Sequence, residues 1–206
     1  MRPIDIRQYK NELRASIKQW RKELPMHEKA ELDSGVMRNV FRLYQYRSAK
    51  TLLIYVSTAI EVDTFKIIEG ALKDGKKVAV PRCIPDTRFM EFHYIDSIEQ
   101  LKPGTFGVLE PEETLPIVED FEGCLMLLPA LALDYSGYRL GYGKGYYDRY
   151  LSRFTGACVG MCYSYNLRRH MYHGRFDRPV DVIVTEKAIK TVSNKRRQTR
   201  GRFQNR

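Results

Sequence analysis

The chain has 206 residues, a formal net charge of +10 at pH 7 and an isoelectric point near 9.4. It is 43% hydrophobic and 29% charged, with a mean hydropathy of −0.45, which excludes a membrane protein or a disordered chain and indicates a globular domain with a sizeable core. The positive charge raises the question of a nucleic-acid or other polyanionic partner.

The excess charge is concentrated at the C-terminal end of the chain. Residues 193–206 hold six basic residues and no acidic residue, which leaves a net +4 for residues 1–192. The six are Lys195, Arg196, Arg197, Arg200, Arg202 and Arg206. With Phe203 as its one large apolar residue, this segment cannot bury enough surface to offset its ordering entropy. We therefore expect one domain over 1–192 and a disordered basic tail over 193–206, a solvated terminus rather than an RNA-binding arm.

The N-terminus and the cysteines predict a cytoplasmic protein. The first ten residues, MRPIDIRQYK, contain charges where a signal peptide needs an apolar run, and no apolar stretch reaches the roughly 18 residues that a membrane span requires. The four cysteines, Cys83, Cys124, Cys158 and Cys162, form no CxxC pair. We therefore expect buried reduced thiols rather than disulfides or zinc ligands.

Two amphipathic helices are predicted before the first strand. Apolar residues spaced three and four apart predict a helix over 6–24 with Asp5 at its N-terminal cap, and Pro25 separates it from a second helix over 27–46. On another face of the first helix, Lys10 and Arg14 are one turn apart and could grip an anion. From this helix alone, a solvated basic face is the favoured interpretation.

The rest of the chain alternates strands with helices. Apolar runs predict strands over 51–57 and 77–83 around a helix over 63–72, which is a βαβ unit. Further strands are predicted over 89–95, 124–128, 157–164 and 180–185, with a helix over 144–154. This order indicates an α/β fold with a mostly parallel sheet. Ligands bind such sheets beyond the carboxyl ends of the strands, which directs attention to the loops after residues 57, 80, 128 and 185.

The densest group of unusual residues lies in 128–151, LPALALDYSGYRLGYGKGYYDRYL, which contains four of the 14 glycines and six of the 14 tyrosines. Glycines at 141, 143 and 145 permit backbone conformations that wrap closely around a ligand, and Arg139 and Lys144 add two cations. Together these features predict a phosphate-binding loop. Its spacing matches neither the dinucleotide-binding GxGxxG fingerprint nor the GxxxxGK[ST] P-loop.

This segment closely resembles the signature of the 5-formyltetrahydrofolate cyclo-ligase family, also called 5,10-methenyltetrahydrofolate synthetase, through its RLGYGKGYYDR run. Five shorter runs match the family in the same order, namely KNELR at 10–14, EVDT at 61–64, VPR at 80–82, GVLEP at 107–111 and VDVIVTE at 180–186. The resemblance implies a ligase that uses ATP and Mg²⁺ to convert 5-formyltetrahydrofolate into 5,10-methenyltetrahydrofolate, ADP and phosphate. In the implied reaction the formyl oxygen is phosphorylated and N10 closes the ring. The implied architecture is a single-domain three-layer fold similar to that of sugar-phosphate isomerases and CoA transferases.

The resemblance also implies the site residues, position by position. For ATP they are Lys10, Arg14, Arg139, Leu140, Gly141, Tyr142, Gly143, Lys144, Gly145, Tyr146 and Tyr147, with Arg139 and Lys144 as the catalytic cations. For folate they are Val56, Glu61, Tyr142, Gly143, Lys144, Gly145 and Tyr146, and for Mg²⁺ they are Asp148 and Asp181. Glu61 suits the role because a carboxylate can bind the N–H edge of a reduced pterin in bidentate fashion. Tyr142 departs from relatives in which this position is basic, so another cation would take over its contact.

Two other functions are compatible with the residues alone. A phosphosugar-handling enzyme of the same architecture would need neither ATP nor the Lys10 and Arg14 pair. A nucleic-acid-binding protein that used the basic tail would bind more weakly as salt rises. The resemblance instead favours a small anionic partner, 5-formyltetrahydrofolate with or without a polyglutamate chain, and we expect a monomer with no membrane or nucleic-acid partner.

Overall fold

The computed structural model of the protein describes residues 4–193, so the predicted basic tail lies outside the described residues except for Ser193. The α-helices of this part run over Ile6–Glu23 (α1), Met26–Arg42 (α2), Tyr44–Ser48 (α3), Phe65–Lys73 (α4) and Tyr146–Tyr150 (α5). The strands run over Thr51–Ile54 (β1), Lys77–Cys83 (β2), Met90–Ile95 (β3), Leu101–Pro103 (β4), Leu109–Pro111 (β5), Cys124–Pro129 (β6), Ala132–Asp134 (β7), Arg139–Leu140 (β8), Ala157–Met161 (β9), Leu167–Arg168 (β10), Val182–Val184 (β11) and Ile189–Thr191 (β12). Within 4–193, no helix has both the length and the apolar character needed to cross a bilayer.

A seven-stranded sheet forms the centre of the molecule, in the order β12-β11-β9-β6-β1-β2-β3. Its five inner strands are parallel, and each outer strand pairs antiparallel with its neighbour. In the middle of the sheet, Leu53 of β1 is in register with Ala79 of β2 and Met126 of β6. The predictions of an α/β fold and of a mostly parallel sheet are therefore confirmed.

Both faces of this sheet are buried, which is why its strands read as continuous apolar runs. Side chains alternate along β1, so that Leu52 and Ile54 join a core that also contains residues of α2, α3 and α4. Leu53 points to the opposite face and joins a second core with Tyr150 of α5 and Phe154. The helices on the two faces hold the carboxyl ends of β1, β2 and β6 in fixed positions.

A smaller sheet, in the order β10-β7-β8, follows the carboxyl end of β6 and supports α1. Ile17 of α1 is 2% exposed and packs with Leu131 and Leu140 in a separate apolar cluster. The Leu131 N–H donates to the Leu140 carbonyl at 2.8 Å, which fixes the entry to the glycine-rich segment. Through these contacts α1 lies beside that segment and beyond the ends of the central strands.

Several predicted boundaries are wrong. The helix predicted over 27–46 is broken at Leu43, whose ψ of 134° is extended and whose side chain is buried in the first core. The helix predicted over 144–154 is only five residues long, because Ser152 and Arg153 donate to carbonyls three residues back and form turns. The strands predicted over 51–57 and 157–164 end at Ile54 and Met161.

The prediction of buried cysteines is confirmed for Cys124, Cys158 and Cys162, whereas Cys83 is only partly buried and lies at the end of β2. All four cysteines are present as thiols rather than as disulfides, and three of them are buried in the cores. Burial raises the pKa of the Cys162 thiol to about 12, so it stays neutral at physiological pH. None of the described His, Cys, Asp and Glu side chains form a group of three that could hold a metal ion.

Candidate active site

A cavity of about 410 Å³ opens beyond the carboxyl ends of β1, β2 and β6. Its walls include the loop after β1, the N-terminal half of α1 and the glycine-rich segment that leads into α5, together with residues of β2, β5 and the loop that carries Asp177. It collects all of the residues predicted to bind ATP or folate, namely Lys10, Arg14, Val56, Glu61 and the continuous stretch Arg139–Tyr147. Residues that are up to 137 positions apart in the chain are thus brought to one concave surface.

Helix α1 contributes two cations that are both held in place. The Lys10 ammonium forms an ion pair with the Asp177 carboxylate. Arg14 Nε donates to the Gly141 carbonyl at 2.8 Å, and its Nη1 donates to the Asn11 side chain at 2.7 Å. Burial lowers the pKa of Arg14, and the nearby Asp177 charge acts in the opposite direction. Lys10 and Arg14 therefore line the cavity, although the pattern of this helix alone favoured a solvated basic face.

Glycine is required in the segment that faces Arg14. Gly143 has a φ of +93°, in the left-handed region that side chains disfavour, and a Cβ there would lie 3.2 Å from Arg14 Cζ. At Gly141 a Cβ would lie 3.1 Å from Arg139 Nη1. Both glycines therefore let a guanidinium approach the backbone, which leaves the cations at the cavity wall.

Arg139 is the most deeply buried cation of the cavity, at 8% exposure. Its Nη2 donates to Asp148 Oδ1 at 2.8 Å, and its guanidinium carbon lies 5.5 Å from the centre of the Tyr147 ring. Its Nε atom is buried with no hydrogen-bond partner among the described residues. A buried donor without a partner favours an incoming acceptor, such as a phosphate oxygen.

The cavity also contains a buried carboxylate, that of Glu61. Glu61 is 7% exposed, and its Oε2 accepts from the Thr58 N–H at 2.8 Å and from the Thr58 hydroxyl at 2.9 Å. Tyr142 lies beside it, and burial, followed by the Glu61 charge, raises the pKa of the Tyr142 hydroxyl. The Lys18 ammonium stands 4.9 Å from the centre of the Tyr142 ring. A cation of α1 thus accompanies the tyrosine at the position that is basic in some relatives.

Several polar residues of the cavity were not predicted from the sequence, among them Asp177, Cys83 and Glu110. Asp177 lies in a loop without any motif, so no local signal could identify it as the partner of Lys10. Cys83 and Glu110 lie in or next to the VPR and GVLEP runs, and the Cys83 N–H donates to Glu110 Oε1 at 3.3 Å. Burial and the Glu110 charge raise the pKa of the Cys83 thiol to about 11, so it is neutral near pH 7.

The structure separates the two aspartates that were expected to share Mg²⁺. Asp148 lines the cavity. Asp181 precedes β11 and is not among the cavity residues; its Oδ2 accepts from the N–H of Cys158, near the start of β9, at 2.8 Å. The amino and carboxyl ends of parallel strands lie at opposite edges of a sheet. The pairing of Asp181 with Asp148 is therefore corrected, because the Asp181 carboxylate fixes the amino ends of two strands.

Replacing Gly143 with alanine is expected to lower the affinity for nucleotide about tenfold. The new Cβ would be strained at a φ of +93° and would push the Arg14 guanidinium away from the cavity wall. Titration of ATP, followed by calorimetry, measures the effect. Gly75 has a φ of +74°, and an added Cβ there would meet nothing within 4 Å, so Gly75→Ala is the matched control for strain alone. An equal loss of affinity in both variants would contradict the role assigned to the Arg14 approach.

Comparison with known proteins identifies the family of the chain. The model of the 5-formyltetrahydrofolate cyclo-ligase family matches residues 6–186. The chain is similar to the 5-formyltetrahydrofolate cyclo-ligase of Mus musculus, with 31% identity over 152 residues that cover 68% of this chain and 72% of the mouse protein. It is also similar to a solved structure of 5,10-methenyltetrahydrofolate synthetase from Aquifex aeolicus, with 33% identity, a TM-score of 0.79 and coverage of 90% of this chain and 93% of that one. A second such structure, from Mycoplasma pneumoniae, has 26% identity, a TM-score of 0.69 and coverage of 86% and 98%. The chain therefore belongs to the 5-formyltetrahydrofolate cyclo-ligase family.

Proposed function

We propose that this protein, a ligase by its family, converts 5-formyltetrahydrofolate and ATP into 5,10-methenyltetrahydrofolate, ADP and phosphate. The observation that carries the proposal is that one cavity holds both a group of cations and a buried carboxylate. The cations are Lys10, Arg14, Arg139 and Lys144, and the carboxylate is that of Glu61. The cations can bind the phosphates of ATP, and the carboxylate can accept hydrogen bonds from the N–H edge of a reduced pterin.

The proposed reaction transfers the formyl oxygen to phosphate. That oxygen attacks the γ-phosphorus, and ADP leaves with the electrons of the broken phosphorus–oxygen bond. N10 then attacks the formyl carbon, loses its proton, and the carbon–oxygen bond breaks to release phosphate and the methenyl product. Such a sequence requires no protein nucleophile. It requires that the two substrates are aligned and that the developing charge is neutralised.

The cations of the chain fit those two tasks. We assign Lys10 and Arg14 to the phosphates of the bound nucleotide, since both are held at the cavity wall by Asp177 and by the Gly141 carbonyl. We assign Arg139 and Lys144 to the transferring phosphoryl group. Arg139 is fixed by Asp148 before any substrate binds, so little reorganisation is needed when charge develops.

Asp148 is the residue that we propose for Mg²⁺. It lines the cavity next to Arg139, and the part of the chain that the structure describes holds no cluster of three acidic, histidine or cysteine ligands. A site with so few protein oxygens suits Mg²⁺, which keeps several waters and binds substrate phosphates. When bound, the ion would neutralise phosphate charge. The carboxylate of Asp148 would then serve both the ion and Arg139.

An absorbance assay tests the proposed function. Purified protein with 5-formyltetrahydrofolate, ATP and Mg²⁺ is expected to develop the near-ultraviolet absorbance of methenyltetrahydrofolate, with one ADP formed per product. Reactions without ATP and without Mg²⁺ are the controls. A folded protein that binds ATP but forms no methenyl product would overturn the assignment.

A second, polar groove extends the cavity and suggests where a glutamate chain would lie. It has a volume of about 500 Å³, shares Cys83, Gly143, Lys144 and Tyr146 with the cavity, and adds the exposed cations Arg7 and Arg88. Folates end in a glutamate, and each further glutamate adds a carboxylate. We propose that this groove receives the polyglutamate chain through Arg7 and Arg88, the cations that it adds to those of the cavity.

Replacing both Arg7 and Arg88 with alanine is expected to raise the KM for a triglutamate substrate by about three- to tenfold, because each exposed charge contact contributes up to about 1 kcal/mol. The KM for the monoglutamate should change by less than about twofold, because this substrate does not make the exposed contacts with the two arginines. Initial rates with both substrates measure the difference, and Arg42→Ala, an exposed cation at the end of α2, is the control. Equal changes for the two substrates would remove the groove from the proposal.

A further inference from the structure

Arg21 is a cation buried behind the cavity, on the last turns of α1. It is 3% exposed, and within residues 4–193 it forms no ion pair with a carboxylate. Its Nε atom is buried without a hydrogen-bond partner among those residues. A buried charge without a counter-ion is costly, and apolar replacements of buried ions often stabilise a protein. The guanidinium is compensated instead by backbone carbonyls, so its position is tied to the loops that carry them.

The guanidinium of Arg21 joins two loops that both reach the cavity. Its Nη1 donates to the Ile60 carbonyl at 3.1 Å, in the loop that presents Glu61. Its Nη2 donates to the Ala130 and Leu131 carbonyls at 2.8 and 3.0 Å, just after the end of β6. The planar fork of an arginine can hold several carbonyls at once, which an ammonium cannot do in the same geometry. One side chain thus fixes the distance between the Glu61 loop and the start of the small sheet.

Tyr163 strengthens this arrangement from the other side. Its ring centre lies 5.2 Å from the guanidinium carbon of Arg21. Its hydroxyl is 2.7 Å from Asp33 Oδ1 and 3.3 Å from the Glu61 carbonyl. The hydroxyl has one proton, which it donates chiefly to the nearer Asp33 carboxylate, so the Glu61 carbonyl is its longer, secondary contact. The backbone that carries the Glu61 carboxylate therefore lies between the Arg21 fork, which binds the Ile60 carbonyl, and the Tyr163 hydroxyl.

The spacing along α1 relates Arg21 to the nucleotide cations. Lys10, Arg14 and Arg21 are separated by four and seven residues, so they lie within about 40° of one another around the helix axis. Lys10 and Arg14 line the cavity as the residues proposed for ATP, and Arg21 binds the loop that presents Glu61, the residue proposed for folate. One stripe of cations on α1 therefore connects the residues proposed for the two substrates.

We infer that Arg21 is a positioning residue for folate recognition: its buried fork holds the Ile60 carbonyl, and thereby the Glu61 carboxylate, in the geometry that the folate requires. The inference rests on the proposed function, because it takes Glu61 as the folate contact. It assigns Arg21 no contact with either substrate. Loss of the fork should loosen the Glu61 loop while Lys10 and Arg14 still face the nucleotide.

Steady-state kinetics of Arg21→Met test the inference, since methionine retains an unbranched apolar stem and removes every donor. The KM for 5-formyltetrahydrofolate is expected to rise about tenfold, which is the size of effect typical of losing a hydrogen bond to a charged group. The KM for ATP is expected to stay within about twofold. Arg21→Lys restores one charge but not the fork, so an intermediate folate KM is expected. Lys22→Met, an exposed neighbour on the same helix turn, is the control.

A purely structural role would lower the fraction of folded enzyme, and hence kcat per chain, but would leave the folate KM of the folded fraction unchanged. That outcome overturns the inference, as does an equal rise of both KM values. If Arg21→Met does not fold, Arg21→Lys decides, because it keeps the charge and loses the fork; a folate KM raised about threefold with an unchanged ATP KM supports the inference, and an unchanged folate KM overturns it. Wild-type protein that forms no methenyl product would instead refute the proposed function.

Discussion

Replacing Arg139 with alanine is expected to lower kcat for methenyltetrahydrofolate formation by about 10²-fold, the loss typical for a preorganised group that stabilises transition-state charge. The side chain is 8% exposed, so its charge is weakly screened by water. Asp148 and the Tyr147 ring hold it before substrate binds. Single-turnover product formation at saturating ATP and folate measures the change.

Comparison variants separate charge from geometry at this position. Arg139→Lys retains the charge but loses the fork, so its rate should lie between those of wild type and Arg139→Ala. Lys144→Ala on the same segment should cost about tenfold, less than Arg139→Ala, because Lys144 is exposed and its charge is screened more. Arg153→Ala, an exposed arginine outside the cavity, is the control. A wild-type rate in folded Arg139→Ala would remove Arg139 from the reaction.

The sequence predicted the sheet better than the helices around the site, for a physical reason. Strands buried on both faces are apolar at every position, so β1 and β6 stand out as runs of Leu, Ile and Met. The break at Leu43 has no such signal, since no glycine or proline marks it and the residue turns because its side chain enters the core. Burial of one leucine by tertiary packing overrides the local helical periodicity there.

The candidate site was predictable where its residues lie in one continuous run and unpredictable where the fold brings single residues together. The run from Arg139 to Tyr147 is recognisable by its glycines and cations, and all of it lines the cavity. Asp177 reaches Lys10 across 167 positions from a loop without a pattern, so only the three-dimensional structure reveals the pair. Asp181 shows the converse, because the matching motif implied a metal ligand although the residue lies at the entrance of its predicted strand, away from the carboxyl ends where ligands bind.

Replacing Glu61 with glutamine is expected to raise the KM for 5-formyltetrahydrofolate by about 10²-fold and to leave the KM for ATP within about twofold. Glutamine has the same shape, but its neutral amide replaces one acceptor oxygen with a donor that faces the N–H edge of the pterin. Two hydrogen bonds to a charged acceptor, each contributing about 1.5 kcal/mol or more, account for this factor. Initial rates at varied folate and fixed saturating ATP give the value.

Glu110, the second buried carboxylate of the cavity, shows whether the expected effect on the folate KM is specific to Glu61. Glu110 is 6% exposed, and its Oε1 accepts from the Cys83 N–H at 3.3 Å while its Oε2 lies 3.5 Å from the Thr105 hydroxyl. Because both of its oxygens face groups of the chain, Glu110→Gln should raise the folate KM much less than Glu61→Gln. The Thr58 N–H and hydroxyl both converge on Oε2 of Glu61, which orients that carboxylate from one side. If Glu110→Gln had the larger effect on the folate KM, the pterin would have to bind at the β2 side of the cavity. The proposed folate contact would then be Glu110 rather than Glu61.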